Sequence, residues 1–164
     1  MRRVSQRERA FLEHVFHHGL VIDRIALGSS LGRRSWSPYA GRISLTRDLF
    51  VDRDPRAEVR LDDPRAASIF AHEAVHVWQR QHGRAVTREG AVLQMGYTLR
   101  LFDPYAYDTN ERNAASLLAA FALGNIEQQG RMVEDYVYAE RTGSNTVHFD
   151  KLLKWLRRPS RPPR

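Results

Sequence analysis

Cysteine is missing from this sequence altogether. Disulfide bonds and thiolate metal ligands are thereby excluded, and any bound metal must be held by His, Asp or Glu. Lysine is nearly absent too: only Lys151 and Lys154 occur, so the formal charge of +7 is carried almost wholly by arginine. No apolar run reaches the roughly 18 residues that mark a membrane-spanning helix. The opening stretch MRRVSQRERAFLEHVF returns to charge before any segment of signal-peptide length. The expectation is a chain without a membrane span, resident in the cytoplasm or exported without a cleaved leader.

What is present is ordinary for a globular domain. Hydrophobic residues make up 42% of the 164 and charged residues 27%, which excludes the disordered and membrane classes and suits one hydrophobic core. We expect a single domain over residues 1–158 and a basic Pro/Arg-rich tail over 159–164. Positive charge gathers at the two ends, MRRVSQRER and RRPSRPPR. Such ends can meet phosphate, but aromatic residues are not interleaved with the arginines as stacking on bases would require. Solvated, partly disordered ends are the expectation, and nucleic acid is not an expected partner.

Local patterns divide the chain. SQRERAFLEHVFHHG predicts a first helix capped by Ser5, with Phe11, Leu12, Val15 and Phe16 inward and a stop at Gly19. LVIDRIAL and RISLTRDLFV predict short strands, the second at or near a sheet edge, separated by a Gly, Ser and Pro-rich loop. LDDPRAASIFAHEAVHVWQRQHG carries the clearest helix punctuation: Asp63 to cap, Pro64 for the first helical position, Gly83 for the stop. Downstream, TREGAVLQMGYTLRLF, NIEQQGRMVEDYVYAERTG and VHFDKLLKWLRR predict helices, DPYAYD a turn, and NERNAASLLAAFALG reads equally as helix or mixed structure.

The central helix contains His72, Glu73 and His76 in the order H-E-x-x-H. Residues four apart stand one turn apart on one face, so both imidazoles can reach a common ion. Glu73 can reach a water on that ion. With this composition the pattern arises by chance in about two of a hundred shuffled chains. A buried helix using Ile69, Phe70, Val77 and Trp78 for packing is the competing reading, but two histidines and a glutamate would then need partners of their own. Trp78 and Gln79 read as packing and helix surface.

A catalytic zinc takes three protein ligands and keeps a position for water. Glu127 and Glu134 lie seven apart on one helical stripe, with Asp135 beside them and suited to hold a ligand imidazole from behind. Spacing leaves Glu127 and Glu134 open as the third ligand.

HEAVHVWQRQ, the tyrosine-bearing DPYAYD and NIEQQGRMVEDY together resemble the small bacterial zincin-type metallopeptidases described as Vgr-related or encoded near type VI secretion genes. The similarity extends from QRERAFLEHVFHHGLVIDRIAL through GRISLTRDLF to about Gly143. It implies a compact, mostly helical α+β, zincin-like (gluzincin-like) domain with a short β-sheet beside the HExxH helix. It also implies Glu127 as the third ligand, Asp135 retained behind the site, and a secretion-system partner. The interval from His76 to Glu127 is longer than in the best-known gluzincins.

The mechanism expected of this set is peptide hydrolysis. Zn2+ on His72, His76 and Glu127 would bring a water to a pKa of about 7. Glu73 would take its proton and pass it to the leaving amine of a protein or peptide substrate. Tyr105 and Tyr107 are candidate donors to the developing oxyanion, with His148 and Arg131 as weaker alternatives. The alternative reading is a non-hydrolytic zincin-fold module serving a structural or interaction role in a secretion-linked or phage-like system. Glu73 separates the two, because a purely structural zinc is closed by four protein ligands and has no use for a base beside an open position.

Overall fold

The chain begins by pairing. In the computed structural model, which describes residues 1–32, 34–37, 41–107 and 113–158, β1 (Arg2–Arg3) runs antiparallel to β2 (Ala26–Ser29) with Arg2 opposite Leu27. β2 in turn runs parallel to β3 (Arg42–Leu45), Ala26 opposite Arg42 and Ser29 opposite Leu45. The sheet order is β1-β2-β3, and Trp36 adds an antiparallel bridge to Ser44 on the far side of β3. Gly41, at φ +74°, admits the turn into β3, where a Cβ would lie 2.1 Å from the Arg24 carbonyl oxygen.

The basic N-terminus is therefore not the solvated tail its charge suggests. A buried acid accounts for the difference. Helix α1 (Gln6–Phe16) opens with a capping box in which Ser5 accepts from the Glu8 amide and Glu8 accepts from Ser5. The fully buried Glu8 carboxylate also takes Arg2 Nη1 at 2.7 Å, Arg2 Nη2 at 2.5 Å and the Val59 amide at 2.8 Å. One side chain thus fastens β1, α1 and the segment before α2. The RRPSRPPR end lies from residue 159 onward outside the described residues.

Both expected strands are shorter than their apolar runs. Residues Ile22–Arg24 form a 3₁₀ turn before β2, and beyond Leu45 the chain turns through Arg47–Leu49 and Val51–Arg53. Asp52 and Arg53 there adopt positive φ, which a continuing strand cannot accommodate.

α2 (Pro64–Gln81) is the central helix. Asp63 Oδ1 accepts from the amides of Arg65 and Ala66 and Pro64 occupies the first position, as the punctuation predicts. Its faces are buried nearly all round by Phe70, Ala71, Ala74, Val75, Val77 and Trp78, so it is a core helix, not an amphipathic surface one. α5 (Ile126–Arg141), capped by Asn125, lies against it with Met132, Val133, Tyr136 and Val137 buried. α3 (Val86–Thr98) and α4 (Ala114–Leu123) link the two; α4 is the ambiguous NERNAASLLAAFALG segment, whose first three residues lie outside the described residues. α6 (Asp150–Leu156) closes the far side, where the Trp78 indole donates to the Leu156 carbonyl at 3.1 Å amid Phe121 and Trp155. The architecture is α+β and mostly helical, with a small three-stranded sheet beside the HExxH helix. Among the described residues no helix is long and apolar enough to cross a membrane.

Candidate metal centre

His72 and His76 project from one face of α2, one turn apart, their ring centroids 5.0 Å apart and their planes at 77°. Both are buried. Facing them is the first turn of α5. Glu127 Oε2 stands 3.4 Å from His72 Nε2 and 3.7 Å from His76 Nε2, and donor atoms of the three residues all lie within 4.8 Å of one another. Ligands at about 2.05 Å around a tetrahedral ion are separated by about 3.3 Å, so this spacing fits a zinc-sized cation.

Two further features fit the same conclusion. Glu73 is 5% exposed, and its Oε2 is a buried oxygen without a hydrogen-bond partner, an arrangement that native proteins retain where a catalytic role or an unseen water or ion explains it. Gly130, one turn beyond Glu127, lies so close to His72 that a Cβ there would come within 2.8 Å of the ring's Cε1 and Nε2. A side chain at this position would have to displace the His72 ring or move α5 away from α2.

The electrostatics are those of a cation site. Burial works against a charged His72, yet its hydrogen bonds to Glu127 and Glu134 prevail and push its pKa up to about 10. The same pairing with His72 and His76 holds the Glu127 carboxylate well below the usual range against the cost of its burial. Burial raises Glu73, which makes its carboxylate a stronger base.

The seven-residue spacing of the two glutamates is used on both sides of one ring. While Glu127 faces Nε2, Glu134 Oε2 meets His72 Nδ1 at 3.0 Å, the arrangement that orients metal-binding imidazoles. Asp135 does not hold an imidazole. One residue further round α5, it accepts the Tyr107 hydroxyl at 2.6 Å and pairs with Arg131 at 3.0 Å. Tyr107 is thus committed away from the site, and it does not line the cleft over the donors. Tyr105 does line that cleft, its ring 6.4 Å from that of His72. Burial pushes its hydroxyl up to about 12, so it stays protonated and able to donate. His148 lies against Phe149, and neither it nor Arg131 lines the cleft.

The sequence reading of Gln79 as helix surface is overturned. It is fully buried, and its Oε1 lies 2.9 Å from His76 Nδ1; its place three residues after His76 on the same turn was the available signal. Arg80 was missed as well. It donates to Ser37 Oγ at 3.0 Å and to the Ser37 carbonyl, fastening the edge segment that carries Trp36 to α2. The cleft lies between this segment and α3, with Gly90 and Gln94 on the α3 side.

No protein-family model matches the chain. Over 80 residues, 49% of the chain, it is 40% identical to the type VI secretion system spike protein VgrG2b of Pseudomonas aeruginosa strain PAO1. The matched stretch spans only 7% of that protein. The solved effector domain of Pseudomonas aeruginosa VgrG2b superposes with a TM-score of 0.64 at 26% identity, over 92% of this chain and 81% of that domain. In both sequence and fold, then, this chain is similar to the effector domain of a type VI secretion spike protein.

Proposed function

We propose that the protein is a zinc-dependent peptidase acting as an effector associated with type VI secretion. The observation that carries this reading is the convergence of His72 Nε2, His76 Nε2 and Glu127 Oε2 beside the unpartnered Oε2 of Glu73. His72, His76 and Glu127 would hold the ion. When bound, zinc supplies a Lewis acid that polarises a carbonyl and acidifies water.

The chain's own residues supply the rest. Glu73 Oε2 accepts the proton of the attacking water and returns it to the leaving amine nitrogen, its basicity raised by burial. Tyr105, which lines the cleft and stays protonated at neutral pH, would donate to the oxyanion that develops on the scissile carbonyl. Glu134 holds the His72 ring in position through Nδ1. The extended segment around Trp36, pinned by Arg80, offers a wall along which a peptide can lie.

A second reading, a non-hydrolytic secretion-linked module on the same fold, is favoured by the likeness to a domain described only as an effector. Zinc content per chain and hydrolysis of a denatured protein such as casein separate the two. The peptidase reading expects about one zinc in wild type, loss of zinc in Glu127→Ala, and zinc retained in Glu73→Gln with hydrolysis lowered about 10²- to 10⁴-fold. A wild type that takes up no zinc on reconstitution overturns it, as does a Glu73→Gln variant that hydrolyses at the wild-type rate. Zinc bound without hydrolysis favours the second reading.

A further inference from the structure

We propose that Gln79 is a positioning residue that sets which nitrogen of His76 is free to bind an ion, through a one-way chain of amide hydrogen bonds ending on two backbone carbonyls. The inference rests on reading His72, His76 and Glu127 as a metal-binding set.

The direction of the chain follows from what each end can do. Gln129 Nε2 lies 2.7 Å from the Phe121 carbonyl oxygen. A carbonyl only accepts, so Gln129 must point its NH₂ there and its Oε1 away. That Oε1 lies 2.9 Å from Gln79 Nε2, which also reaches the Ile126 carbonyl at 3.0 Å. Two acceptors therefore require the NH₂ of Gln79, and its Oε1 is left facing His76 Nδ1 at 2.9 Å. An oxygen there accepts, so Nδ1 carries the hydrogen. In a neutral imidazole the lone pair is then on Nε2, the atom that faces Glu127.

Reversing either amide would set oxygen against oxygen in a buried place. Gln79 and Gln129 are 0% and 3% exposed, and His76 is 7% exposed, so water is not at hand to relieve the conflict. The backbone of α4 and the start of α5 thus dictate the His76 tautomer through two side chains. The two histidines are backed differently. His72 has a carboxylate, Glu134, on its Nδ1, whereas His76 has a neutral amide. The amide orients without adding negative charge, and through Ile126 it also ties α2 to the residue preceding Glu127.

The test uses the full chain labelled with ¹⁵N-histidine, with His76 assigned by comparison with His76→Asn. Imidazole ¹⁵N spectra of the metal-free protein at alkaline pH read the neutral tautomer, and competition with a chromophoric chelator reads zinc affinity. Wild-type His76 should carry its hydrogen on Nδ1. In Gln79→Met this preference is lost and zinc affinity falls about 10- to 100-fold. Gln129→Met perturbs the same buried network but leaves the Ile126 anchor, so the tautomer persists and affinity changes only a few-fold.

A wild-type His76 protonated on Nε2 overturns the inference, as does a folded Gln79→Met that keeps both tautomer and affinity. Equal losses in Gln79→Met and Gln129→Met would also overturn it, since packing alone would then suffice. If Gln79→Met fails to fold, the wild-type tautomer still decides. A wild type that binds no zinc defeats the peptidase reading, while the tautomer comparison continues to test the amide chain.

Discussion

Single side chains in this protein act by what they touch, and sequence shows only some of that. His72, Glu73 and His76 were legible because one helical face carries an otherwise improbable pattern. Gln79 was not, since an amide on a helix reads as surface until the neighbouring helix is known to cover it. Glu8 was equally hidden. The Ser5–Glu8 spacing is that of a capping box, but no spacing rule brings Val59 or the Arg2 guanidinium onto the same carboxylate. These hydrogen bonds outweigh the burial that would raise its pKa and hold it below its ordinary 4.5. A carboxylate depressed in this way stabilises the fold above the unfolded-state pKa, and the contribution is lost as pH falls through the folded-state value. Glu8→Gln should therefore cost about 2 kcal/mol at neutral pH, within the range for hydrogen bonds to charged groups. Urea midpoints should show that cost shrinking below pH 4.5; a penalty independent of pH would rule the carboxylate out as the cause.

Helices were legible wherever end signals and periodicity agreed. α2 runs from its Asp63 cap as its punctuation predicts, and α5 opens with an Asn125 capping box. The strands were less legible, because RISLTRDLFV goes on burying apolar side chains after the backbone has left the sheet: Leu49 and Phe50 are in the core although β3 ends at Leu45. Burial, which the apolar pattern reports, and strand pairing, which it does not, part company there. The contact between α2 and α5 turns on Gly130. Gly130→Ala should favour the isolated helix by about 1 kcal/mol, yet the added methyl must push α5 from α2 or turn the His72 ring. We expect the far-UV circular dichroism of the variant to be that of wild type, with zinc affinity more than tenfold weaker in chelator competition. Unaltered affinity would show that the close approach is not needed.

For the molecule as a whole, the mostly helical α+β outline with a small sheet agrees with the local helix and strand signals and with what the resemblance implies. The likeness to the VgrG2b effector domain over 92% of the chain supports that outline. Less legible was the closure of the chain, in which α6 packs under α4 and the Trp78 indole meets the Leu156 carbonyl 78 residues on. Such long-range partners depend on three-dimensional register that no local pattern encodes. A ligand that binds only the folded form adds stability, about 2.7 kcal/mol at a free concentration 100 times its Kd. Zinc should raise the melting temperature of wild type accordingly, EDTA should reverse the rise, and His72→Ala should abolish it; equal melting curves with and without zinc would contradict the proposed site.

The paired histidines are borne by α2 and the facing glutamate by α5, on helices joined through α3 and α4. With the site as proposed, an extended chain carries every catalytic group and is nonetheless inert, because no short peptide segment contains the whole constellation. On that reading folding would itself be the activation step, since the constellation is complete only when α5 packs against α2.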